Sequence, residues 1–182
     1  MIKALKPYLD RGCPVVGLEP SCLLTLRDEY LVMDLGEDAQ LLARQSFMFE
    51  EFIASEAEAG RFDMVFSPLP QKAVLHGHCH QKAFDLMGAT LKALSLVPQL
   101  EVETIQSGCC GMAGSFGYEK EHYEVSQKMA QAALLPALRE APEDALVIAD
   151  GTSCRHQIRD GAGRNPVHVA QVLRRALKAK RT

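Results

Sequence analysis

"LVIADGTSC", residues 146–154, runs from an unbroken apolar stretch through a turn to a cysteine that opens a polar, helix-like segment. Four apolar or small residues without polar alternation predict a strand covered on both faces, as strands of a parallel sheet are. "VVGLEPSC", residues 15–22, repeats that order, so the chain carries two copies of one strand–turn–Ser-Cys–helix unit. Outward from them, strands and helices alternate. Residues 2–10 predict a short helix, 13–20 a buried strand and its turn, and 21–33 a helix with Ser21 as N-cap. Residues 37–60 predict one long amphipathic helix closed by Gly60. Residues 72–80 predict a strand running into a loop, 81–97 a helix stopping before Pro98, and 100–108 a strand. A glycine-rich loop at 109–117, a long helix at 118–141, a strand at 145–150, a turn with a short helix at 151–163 and a closing helix at 167–180 complete the order. This alternation predicts a three-layer α/β fold, a mainly parallel sheet with helices on both faces, in which ligands gather at the carboxyl ends of the strands.

The two copies differ in what precedes them. Cys79 and the adjacent Cys109 and Cys110 stand before the second copy, and nothing comparable stands before the first. Residues 1–60 therefore read as the partial first member of a duplicated pair and 61–182 as the complete second, packed as one globular domain. The chain of 182 residues, 47% apolar and 24% charged, can bury such a core. A net charge of −3 argues against nucleic acid as a partner. The basic end "LRRALKAKRT" reads as a solvated helix terminus whose cations complement the dipole. With neither a membrane-spanning apolar run nor a signal peptide, the expectation is a cytoplasmic protein, reaching the inner face of a membrane only through partners.

Six cysteines in a reducing compartment point to metal or redox chemistry rather than disulfides. Cys22, Cys79, Cys109, Cys110 and Cys154 each follow a predicted strand, so a parallel sheet brings all five to one edge. Cys13 begins a strand and reads as a buried small hydrophobe. Cys79, Cys109, Cys110 and Cys154 are the expected metal ligands, since four soft thiolates complete either an iron–sulfur or a zinc site. Gly108, Gly111 and Gly114 let the backbone turn closely and offer amides to sulfur. Cys22, His78 and His80 are candidates for a further ligand or for supporting hydrogen bonds. His76, His78 and His80 alternate, so an extended segment would put all three on one side. The glycine-rich loop lacks the Lys-Ser/Thr of a phosphate-binding P-loop.

"HGHCHQKA", "SGCCGMAGSFGYEKEHYEVS" and "ADGTSCRHQI" resemble the cysteine-rich CCG domain. That domain occurs in heterodisulfide reductase and in the iron–sulfur subunits of glycolate, lactate and anaerobic glycerol-3-phosphate dehydrogenases. "VVGLEPSCLLTLRDEYL" is most similar to the C-terminal region of bacterial FAD-linked oxidases fused to an iron–sulfur oxidoreductase, and the resemblance spans nearly the whole chain. It implies paired units, a cluster of [4Fe-4S] type or zinc at the conserved cysteines, and a chain that is the C-terminal piece of a longer protein. One position departs from the pattern: the family ends on Cys-x-x-Cys, and here Gly151 stands where the first of those thiols belongs.

Three functions follow. The first is an electron-transfer module of a flavin-dependent 2-hydroxy-acid dehydrogenase or oxidase, its cluster fed by FAD in the missing part or in a flavoprotein partner; no FAD-binding pattern occurs in this chain. The second is a structural or assembly domain holding zinc at the same cysteines. The third is a thiol enzyme with Cys79 as nucleophile. Substrate and electron acceptor are not encoded in these patterns.

Overall fold

The computed structural model describes residues 1–178. It is α/β, with parallel sheets flanked by helices. The chain starts with α1 (Ile2–Leu9), which seats Leu9 in the core, and enters β1 (Val15–Gly17). Cys13, just before β1, is half-buried rather than the buried hydrophobe expected. Then come α2 (Pro20–Leu23), two 3₁₀ turns (Leu24–Arg27 and Glu29–Val32) and α3 (Glu37–Arg44). The N-cap of α2 is Glu19 and not Ser21: Pro20, whose ring presets φ and which has no amide to satisfy, takes the first helical position. Ser21 instead donates its hydroxyl hydrogen to the Glu19 carboxylate at 3.0 Å.

The long helix expected over 37–60 is interrupted. Between α3 and α4 (Phe49–Glu58) lies β2 (Ser46–Met48), which pairs in parallel with β1 in the register Val15↔Ser46 to Gly17↔Met48. The pairing supplies β1 with backbone partners, beginning with Val15 N–H to Gln45 O at 2.7 Å, and Ser46 donates to Leu42 O inside the core. Gly60 closes α4 at φ +68, as expected.

The second sheet has the order β4-β3-β5, all parallel, from β3 (Gln71–Leu75), β4 (Leu100–Thr104) and β5 (Leu146–Ile148). Pleating divides its residues between two cores. Ala73 and Leu75 face Ile53 of α4, Leu94 of α6 (Met87–Ser95) and Val172 of α10 (Val169–Ala176). Val74 and Val147 face Ala130 of α7 (Tyr123–Ala132), Leu135 of α8 (Leu134–Glu140) and Ile158 of α9 (Thr152–Ala162). Helices thus cover both faces.

Three further expected helices change course. Residues 81–97 divide into α5 (Cys79–Ala83) and α6, parted at Asp85 with φ +56. Residues 118–141 begin with a turn and break at Ala133 (φ −153, ψ −46), which places Pro136 in the first turn of α8, where its missing N–H costs no hydrogen bond. α10 stops at Ala176 because Leu177 turns extended and bridges Phe66. Arg174 and Arg175 are exposed in its last turn, while Lys180 and Arg181 lie outside the described residues.

Side chains stitch residues 1–60 to the remainder. Glu19 accepts from Thr152 N–H at 2.9 Å and Thr152 Oγ1 at 2.8 Å, His168 Nε2 lies 2.9 Å from Leu18 O, and Gln81 donates to both Glu50 and Asp150. Burial raises the Glu19 carboxyl, the hydrogen bonds from Thr152 and Ser21 together with the nearby His78 outweigh it, and the net shift is downward. No described helix is long and apolar enough to cross a membrane.

Candidate metal centre

Because β3, β4 and β5 run in one direction, the segments leaving them emerge at one edge. β3 exits into His76-Gly77-His78, and α5 starts at once with Cys79. His78 caps that helix: its Nδ1 accepts from His80 N–H at 3.2 Å, while its own N–H donates to Gln81 Oε1 at 3.0 Å. β4 exits into the loop carrying Cys109 and Cys110, and β5 exits through Asp150 and Gly151 into α9, which carries Cys154.

The thiols form a chain. Cys109 lies beside Cys110 and Cys79, and Cys110 lies beside Cys154, next to which stands His76. The Sγ atoms of Cys110 and Cys154 and a ring nitrogen of His76 lie within 4.8 Å of one another, and all three residues are buried. All six cysteines are free. Hydrogen bonds from Cys110 and Cys79, with Gly111 N–H at 3.3 Å, hold Cys109 well below the usual thiol range. The Cys110 thiol and the nearby His76 and His78 rings likewise lower Cys154 against its burial. Cys79 and Cys110, the donors, are pushed up by those bonds and by burial. Lys82 points its ammonium at Ser107 O and, at 2.9 Å, at Gly108 O; burial lowers it while the cysteines' negative charge resists.

Of the loop glycines, Gly111 is required. It sits at φ +89, its amide serves Cys109, and a Cβ there would strike the carbonyl of Ser126. Gly114 has open space at the Cβ position but sits at φ +70, which also favours glycine, whereas Gly108 has open space and contributes its carbonyl to Lys82.

Gly151 has φ −69 and ψ 130, a backbone any residue adopts. Its missing side chain is replaced in space by His78. An added Cβ would lie 3.2 Å from His78 Nε2 and 3.3 Å from Cys154 Sγ, and would collide with Cδ2 of the same imidazole. Burial lowers the His78 pKa, so this ring is kept neutral.

Not every expected residue joins the group. Cys22 is exposed on α2, after a strand of the other sheet, and lines a cleft with Val15, Val16 and Leu18. His80 lies on α5 with its ring 5.2 Å from that of His78, because the chain turns helical at Cys79 and ends the alternation that would align the three histidines. Three neighbours had no sequence signal pointing to sulfur: Lys82, Ser107 and Gln157. Gln157 donates to Cys110 O at 3.0 Å and Ser126 Oγ at 3.2 Å; a polar residue on the buried stripe of α9 is its one visible mark.

Chemically, the group offers soft thiolates and imidazole, donors suited to zinc and iron. One observation fits a metal: His76 Nε2, beside the sulfurs of Cys110 and Cys154, is buried without a hydrogen-bond partner, as is Nδ1 of His80 outside that group.

No family model matches the chain, and no solved structure matches it. One subunit of the anaerobic glycerol-3-phosphate dehydrogenase of Escherichia coli (strain K12) is 32% identical over 167 residues, covering 92% of this chain and 41% of that protein. D-2-hydroxyglutarate dehydrogenase of Escherichia coli (strain K12) is 30% identical over 185 residues, covering 97% of this chain and 17% of that protein. Its counterpart from Pantoea ananatis (strain AJ13355) is 31% identical over 169 residues, covering 89% and 15%. The chain spans less than half the length of each of these relatives, and what it is similar to is the C-terminal part of dehydrogenases.

Proposed function

We propose that this chain is an electron-transfer module of CCG type, whose Cys79, Cys109, Cys110 and Cys154 hold an iron–sulfur cluster for a flavin-dependent dehydrogenase of 2-hydroxy acids. The observation that carries the reading is that three parallel strands deliver Cys79, Cys109, Cys110 and Cys154 to one edge, with the sulfurs of Cys110 and Cys154 within 4.8 Å of each other. When bound, the cluster would supply one-electron chemistry between a flavin and an acceptor. The chain's own part is to position the sulfurs, to donate the Gly111 amide to Cys109 and to set the Lys82 cation beside the loop. The flavin would belong to another part of the longer protein or to a flavoprotein partner. Residues 1–60 stand as the partial first unit and 61–182 as the complete second. Similarity to two dehydrogenases that the chain only partly spans supports this assignment.

Zinc at the same four cysteines is the second reading, favoured by Gly151: without a fifth thiol, the sulfurs number those of a closed tetrahedral site. The elevated thiol of Cys79 counts against a nucleophilic role for it.

The test is anaerobic reconstitution with iron and sulfide, followed by iron, sulfide and zinc analysis per chain and a visible spectrum. Wild type and Cys13→Ala should bind equal iron and absorb in the visible, and Cys110→Ser should lose most of both. Equal iron in Cys110→Ser and wild type would refute the ligand assignment, and a colourless protein holding zinc would favour the second reading.

A further inference from the structure

We infer that the donor set of this centre is mixed, with His76 joining Cys110 and Cys154 as a metal ligand through Nε2; this rests on the thiolate centre proposed above. His76 is fully buried at the exit of β3, and its backbone N–H, 2.9 Å from Ile148 O, pins it between β3 and β5. Its Nδ1 lies 2.9 Å from Ser107 Oγ. The other nitrogen, Nε2, is buried and has no hydrogen-bond partner. An imidazole with one nitrogen held by a hydroxyl and the other left bare beside two sulfurs is arranged as metal-bound histidines are, the outer hydrogen bond fixing the tautomer and the ring plane.

His76 is set apart from the other histidines near this edge by its place beside two sulfurs, since His80 Nδ1 is also buried without a partner. His78 spends Nδ1 capping α5 and fills the space beside Gly151, and His168 spends Nδ1 capping α10 and sets Nε2 against Leu18 O. His80 stands outside the group formed by His76, Cys110 and Cys154. Where position 151 lacks a thiol, His76 restores a fifth soft or borderline donor on the Cys110–Cys154 side. An imidazole in place of a thiolate removes one negative charge from the ligand shell, so a cluster so held would have a higher reduction potential than one with sulfur alone.

The test uses the full chain, metal-free and anaerobic, with cobalt(II) and zinc(II) as probes. His76→Ala should weaken cobalt at least about tenfold and shift its visible bands, and Ser107→Ala should weaken it less. X-ray absorption of the zinc-loaded wild type needs no variant and should show a nitrogen shell at about 2.0 Å beside sulfur at about 2.3 Å. A sulfur-only shell, with His76→Ala binding like wild type while Cys110→Ser does not bind, overturns the His76 assignment and leaves the thiolate centre standing. A wild type that takes up neither cobalt, zinc nor iron overturns both.

Discussion

Glycine or cysteine at position 151 is a choice governed by one neighbouring ring. The backbone there accepts any side chain, and a Cβ would point at Cys154 Sγ, but the His78 imidazole already occupies the room. Gly151→Cys alone should therefore cost about 1–3 kcal/mol by overpacking and add no iron. Paired with His78→Ala, it should cost less than the two single changes summed and bind more iron than wild type. Urea unfolding and iron analysis of the four proteins measure both, and strictly additive stabilities with unchanged iron would sink the idea. At this scale topology assigned Cys79, Cys109, Cys110 and Cys154 to one edge from the strands they follow, and misassigned Cys22, whose strand belongs to the other sheet. The sequence could not separate His76 from His78 and His80, because their spacing of two has one meaning in a strand and another across a strand-to-helix junction.

Among the elements, the strands after residue 70 were readable as apolar runs, and β2 was not. Its three residues are too few to show alternation, and the apolar spacing of Leu41, Leu42, Phe49, Phe52 and Ile53 runs helically through it. Only pairing with β1 makes it a strand. The turn it forces sends Glu50, in the first turn of α4, into the interior against Gln81 and Asp150. Burial, and then the charge of Asp150, push the Glu50 carboxyl from 4.5 up to about 8. Below about 4.5 the folded and unfolded chains both carry this proton. Between there and about 8 the folded chain keeps it and the unfolded chain releases it, so the group's contribution to stability falls as pH rises through that window. Glu50→Gln, neutral throughout, should flatten the decline between pH 5 and 8 in denaturant midpoints; an unchanged slope would show that Glu50 is not its source.

For the molecule as a whole, the sequence conveyed the class, parallel α/β with helices on both faces, but not that the strands divide into two sheets. That division depends on which strands find each other across long separations, which local patterns do not record. The sequence predicted that residues 1–60 and 61–182 pack together but could not name the residues that cross the boundary. Ile53, Phe49 and Phe52 of α4 belong to the core that covers β3 and β5. Residues 61–182 produced alone should accordingly lose cooperative unfolding and bind a hydrophobic dye, and mixing with a 1–60 peptide should restore a sharp transition. A sharp native-like melt of 61–182 by itself would contradict this.

The same placement of α4 has a temporal side. During synthesis this helix leaves the ribosome well before β5 and α10, the surfaces it is built to cover. Its apolar stripe must wait, exposed, while the intervening chain is made, and the contacts that finally bury it close long loops. A nascent chain of this protein should therefore keep that stripe open to holding chaperones until translation passes α10, and slowing the ribosome between residues 60 and 146 should prolong the exposure rather than relieve it.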